Sequence, residues 1–128
     1  MRFVALMIAL VMVVAACGDS EGGADPDRFC ELLAELGAQN TSGMTADEAL
    51  PVIQEGRDKY VEGLEVVPDE IRDDAEVFAN FVIEITDVLI AAGGDESQVD
   101  IVALEAISDD GVDAAAQAVG AWRADNCP

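Results

Sequence analysis

The sequence predicts an all-α protein, a small helical bundle of about five helices. Two observations carry this. Beyond residue 24, apolar side chains recur every three or four positions behind helix-start signals at Asp25-Pro26, Thr45-x-x-Glu48 and Pro68. Strand-like alternation is confined to 60–67 and 99–101, and two short isolated candidates do not make a stable sheet.

The first element is a leader. Met1-Arg2 is followed by 14 residues, 3–16, without a polar side chain. A helix needs about 20 apolar residues to cross the hydrocarbon core of a bilayer, whereas the apolar part of a signal peptide takes about 7 to 15. The run ends Val14-Ala15-Ala16-Cys17-Gly18, small residues directly before a cysteine, and so resembles the lipobox of bacterial lipoproteins. Small side chains let the extended backbone enter a peptidase, and the thiol behind the cut accepts a diacylglyceryl group. The resemblance implies a signal peptide over 1–16 and Cys17 as the acylated first residue of the mature chain. An ordinary secretory signal with Cys17 as a bystander is the competing reading, and it leaves an unpaired thiol in an oxidising compartment. Two or more acyl chains anchor a protein stably. The expected address is therefore the extracytoplasmic face of the cell membrane, with the lipid as the membrane partner.

With Cys17 acylated, Cys30 and Cys127 are left as an even pair in an exported chain, and a disulfide between them is expected. In the chain-entropy treatment, closing a loop of nearly a hundred residues stabilises a fold by about 4 to 5 kcal/mol.

Removing residues 1–16 from 128 leaves 112, enough for one domain with one modest core. The full chain carries 27 acidic and 6 basic residues, a net charge of −21, and loss of Arg2 with the leader makes it −22. Nucleic acid is excluded as a partner, because phosphate backbones are bound by clustered Lys and Arg, and Arg28, Arg57, Lys59, Arg72 and Arg123 are scattered among acids. The same charge repels an anionic lipid surface, so attachment must come from the acyl chains. Self-repulsion destabilises such a chain, and salt screens it over a Debye length of about 10 Å at 0.1 M.

Residues 17–24 read as the acylated cysteine and a flexible glycine-rich tether, reaching about 15 Å, and 25–128 as the acidic helical domain. In the first helix Asp25 caps, Pro26 takes the first position, Phe29, Leu32, Leu33 and Leu36 form the stripe, and Gly37 stops the run. Thr45 and Glu48 read as a capping box for the second helix, with Leu50, Ile53, Tyr60, Leu64 and Val67 as its stripe. Pro51 inside it predicts a kink or a later start. Gly56 and Gly63, seven apart, either admit a close neighbouring helix or are two tolerated glycines. Pro68 opens the third helix, which Gly93-Gly94 ends near Ala92. Its apolar stripe runs from Ile71 through Phe78 and Ile85 to Ala92, widened by Val77, Phe81 and Val88, which predicts the most buried element of the fold. Asp95 and Ser97 are expected to cap a short fourth helix, and Asp109 or Asp110 a fifth carrying Val112, Ala115, Val119 and Trp122 to Asn126-Cys127.

A lipobox, a short acidic linker, Phe29-Cys30 opening the first helix, the helix start Pro68-Asp69-Glu70-Ile71 and the closing interval from Trp122 to Cys127 together resemble small uncharacterised lipoproteins of actinobacterial type. Where such proteins carry Tyr and a terminal Cys-Gly, this chain has Trp122 and Cys127-Pro128. The resemblance implies a fold and an address and no particular activity.

Catalytic patterns are scarce. Without histidine there is no Ser-His-Asp or Cys-His arrangement and no His-containing dimetal site, and no phosphate-binding glycine loop occurs. Glu84 and Asp87, three apart on the third helix, are the one candidate acid–base pair, against the plainer reading of a solvated polar stripe. Asp95-Glu96 and Asp109-Asp110 with Asp113 are candidate Ca²⁺ gatherers, although helix capping accounts for both. Trp122 is a candidate partner anchor or a core residue. No catalytic residue, metal site or cofactor is assigned. The expected function is that of a non-catalytic interaction or accessory protein with a protein partner in the cell envelope. The alternative is a carrier holding a small apolar ligand between helices.

Overall fold

The computed structural model describes residues 23–128; the leader, Cys17 and the tether up to residue 22 lie outside it. Five α-helices follow one another, α1 Pro26–Ala38, α2 Ala46–Val66, α3 Arg72–Ala91, α4 Ile101–Glu105 and α5 Val112–Asn126, with no strand among the described residues.

The Asp25 carboxylate accepts the Arg28 backbone N–H at 3.0 Å, and Pro26 occupies the first turn, where no N–H is needed. Gly37 does not stop α1, which continues to Ala38. The Glu48 carboxylate accepts both the backbone N–H and the hydroxyl of Thr45 at 2.9 Å, which fixes the start of α2. These bonds hold Glu48 below the usual carboxylate range. Pro51 does not delay α2, and the helix runs unbroken through it. Arg72 closes the other end by donating to the Val67 and Leu64 carbonyls at 2.9 and 3.3 Å. A 3-10 turn, Asp69–Ile71, precedes α3.

Gly93 and Gly94 end α3 as predicted. Their N–H groups donate to the carbonyls of Ile90 and Leu89 at 2.9 and 3.0 Å, a Schellman motif. Gly94 has φ +77°, and a Cβ there would stand 2.8 Å from the Ala46 carbonyl oxygen, so this turn rests directly on the start of α2. The fourth and fifth helices are capped otherwise than expected. Asp95 caps a 3-10 turn, Glu96–Gln98, and Asp100 caps α4 by accepting from Val102 and Ala103 at 3.0 and 3.2 Å. Neither Asp109 nor Asp110 caps α5 with its side chain; Gly111 holds that position at φ +76°. A left-handed entry suits glycine and leaves an aspartate one residue earlier out of place.

Helices α1, α2, α3 and α5 form a four-membered ring in which α1 packs on α2, α2 on α3, α3 on α5 and α5 back on α1, while α4 rests on α3. Cys30 and Cys127, Cα atoms 5.5 Å apart, are joined by the disulfide and tie α1 to the end of α5. Beside them lies the core of Phe29, Val67, Ile71, Ala75, Val119 and Trp122. Phe29 meets the Trp122 ring edge-on at 5.5 Å, and Trp122 Nε1 donates to Glu70 Oε1, so both the apolar body and the polar edge of the indole are satisfied. Gly56 and Gly63 lie on the side of α2 that α1 crosses. A Cβ at Gly63 would meet the Phe29 ring at an ordinary 3.8 Å, and one at Gly56 would collide only with the flexible Gln39 side chain.

Candidate functional site: the open end of the bundle

Helix length divides the bundle into two ends. α2 and α3 have 21 and 20 residues, about 30 Å each, whereas α1 and α5 have 13 and 15, about 20 to 22 Å. The chain enters beside the disulfide, where the Asp25 N–H donates to the Val66 carbonyl at 2.8 Å. All four long helices meet at this end. At the other, the α2–α3 pair projects past its neighbours and is flanked by the loop over 39–45 and the connector over 92–111.

The consequence falls on α3. Ala75 and Ala79 are its buried residues, and every apolar side chain in 81–90 is half-buried. The prediction that α3 is the most buried element is therefore corrected. Its apolar face extends farther along the axis than α1 and α5 reach.

Two hollows open along this projecting pair. One, about 250 Å³, lies between Leu36, Gln39, Ile53, Tyr60, Thr86 and Leu89. The other, about 490 Å³, lies between Met44, Ala49, Ile53, Leu89 and the Gly94–Glu96 turn. Tyr60 stands at the border, edge-on to Phe78 at 6.1 Å, and its partial burial pushes the phenol above 10. At the centre of the ring, a cavity of about 30 Å³ is lined by side chains that include Phe29, Leu32, Leu64, Phe78 and Val119. That is about a tenth of the smallest usual ligand site of roughly 300 Å³.

The connector carries the most exposed large apolar side chains of the described residues. Ile101 is 60 % and Val102 76 % exposed, side by side on α4. Ala103, Leu104 and Ile107 are the half-buried residues on and just after this helix.

Charge is unevenly answered over the molecule. Four of the five cations in the described chain serve as staples within and between α1, α2 and the start and body of α3. Arg28 bridges to Glu62 at 2.6 Å and reaches Glu31 and Glu35, Lys59 joins Glu55 and Glu35 at 2.6 and 3.3 Å, Arg57 binds Asp87 at 2.5 Å, and Arg72 binds Asp69 at 3.0 Å. The carboxylates beside Arg28, Arg57 and Lys59 raise all three cations, and Arg28 holds Glu62 low. Between Arg72 and Arg123 the sequence has no Lys or Arg but twelve Asp and Glu, and no ion pair among the described residues involves an acid beyond Asp87. The α4 side is acidic without internal compensation.

The candidate residues fall as follows. Cys30 and Cys127 are joined; Cys17 lies outside the described residues. Trp122 is buried and belongs to the core, not to a surface anchor. Asp87 is held by Arg57, and Glu84 is exposed on α3. The acids at 95–96 and 109–113 do not converge, since among the described residues no group of three potential ligands is close enough to hold a metal. No helix of the described residues is long and apolar enough to cross a membrane. Sequence reasoning passed over the exposure of Ile101 and Val102, because it started the fourth helix at Asp95 and Ser97. The capacity of Asp100 to cap was the signal that fixes α4 one turn later.

Comparison with protein-family models, with curated proteins and with solved structures finds no match.

Proposed function

We propose that this chain is a lipoprotein of the extracytoplasmic face, held by acyl chains on Cys17, and that it acts without catalysis by presenting the open end of its bundle to a partner protein of the envelope. The observation that carries the reading is the polarity of the domain. The chain enters at the disulfide-closed end, the α2–α3 pair runs about 30 Å from it, and α4, with Ile101 and Val102 exposed, follows the far end of α3 in the chain. A tethered protein that holds a partner away from the bilayer needs this arrangement. The lipobox-like run before Cys17 and the pairing of the other two cysteines both accord with export. The carrier alternative has no room at the centre of the ring, where the cavity is about 30 Å³, and would have to use the open hollows of about 250 and 490 Å³ along the projecting pair.

The test is crosslinking in intact native cells, with capture through a tag placed after Pro128 at the closed end. Wild-type protein is expected in the membrane fraction, with an intact mass that includes acyl groups on Cys17 and with one reproducible crosslinked protein. C17S is expected in the medium without that partner. An unmodified Cys17, or acylated protein that crosslinks to no protein, overturns the proposal.

A further inference from the structure

Resting on that interaction reading, we infer that the surface around α4 docks a cationic protein segment, one that carries apolar side chains between Lys and Arg residues. Ile101 and Val102 supply the apolar contact, with more than half of each residue exposed among the described residues. Covering each would strengthen a complex by about tenfold. Flanking them along the chain are Asp95, Glu96, Asp100, Glu105, Asp109 and Asp110, all in the stretch that has no basic residue. Asp95 and Asp100 each use one oxygen in a capping turn.

Charge complementarity selects the occupant. A second copy would bring a like field against this one, in a chain of net charge −21, and an anionic lipid headgroup meets the same repulsion. A neutral apolar partner would gain contact with Ile101 and Val102 but leave the surrounding acids uncompensated. A segment rich in Lys and Arg gains both the apolar contact and electrostatic steering. The α1–α2 seam is the internal control, because Arg28 and Lys59 already neutralise its acids.

The experiment has two arms on the full-length acylated protein. A photoreactive residue is placed at Val102 or, as a control, at Val61 on α2, in native membranes. Purified protein in detergent is also titrated with an 18-residue amphipathic helix of Leu and Lys and with its Leu and Glu counterpart. Val102 should crosslink to a peptide with a clear Lys and Arg excess, and the yield should fall at least fivefold when salt rises from 0.1 to 0.5 M. The Leu/Lys helix should bind, the Leu/Glu helix should not, and V102D should weaken binding about tenfold while V61D leaves it unchanged, with unaltered far-UV circular dichroism in both. The inference is overturned by crosslinking from Val102 to a lipid, to a second copy or to a segment without basic excess, by a yield no higher than at Val61, or by equal effects of V102D and V61D. A protein partner found from Val61 alone overturns the docking face and spares the interaction reading. A partner found from neither position nor through the Pro128 tag overturns both.

Discussion

The two halves of α3 belong to one continuous helix and differ in what covers them. At the closed end, Ala75 and Ala79 are buried small residues that let α5 approach with Ala115 and Val119. Leu32 and Val67, at 1 % and 0 % exposed, are the largest side chains wholly removed from water. At the open end, Phe81, Val82, Ile85, Val88, Leu89 and Ile90 form a longer apolar run, and none is buried. Hydrophobicity along a helix sets which face seeks cover, and the lengths of the neighbouring helices set how much of it is found. Here the more apolar half is the less covered.

This comparison breaks first at the disulfide. C30S/C127S should lower the unfolding free energy by about 4 to 5 kcal/mol, because the bond closes a loop of 97 residues at the well-packed end. Urea titration measures it, and a loss under about 1 kcal/mol would mean that the closed end holds without its staple. Next come two chemically identical truncations. L32A should cost about 3 to 5 kcal/mol, while L89A, at the half-covered end, should cost about half as much. Equal losses would erase the distinction between the ends.

The smallest effect is electrostatic and sits on the α1–α2 seam. Arg28 holds the Glu62 carboxyl below its ordinary 4.5, so the folded state binds that proton less readily than the unfolded chain. The stabilisation is therefore complete above pH 4.5 and fades as pH falls through the lowered value. The difference in melting temperature between wild type and E62Q should be small at pH 7 and shrink steadily below pH 4.5. A gap that widens in acid would contradict the pairing.

Much of the helix layout was legible. Asp25-Pro26, Thr45 with Glu48, and Gly93-Gly94 each set an element boundary through local chemistry, a side-chain acceptor at a free N–H or a glycine at a left-handed turn. The misplacements have a common origin in competition among adjacent caps. The chain offers Asp95, Ser97 and Asp100 within six residues, and Asp109, Asp110 and Gly111 in succession, and local rules do not rank them. The candidate surface was not legible, because α4 is too short for its periodicity to say which side faces α3.

By itself, the sequence determined the all-α character and the main helix starts, since each depends on residues close along the chain. Tertiary structure decided which apolar residues are buried and where charge goes unanswered. Burial depends on whether a neighbouring helix reaches a given height, and neutralisation on which cations face which acids across a seam. Both are distances between residues far apart in the chain, which its spacing does not contain.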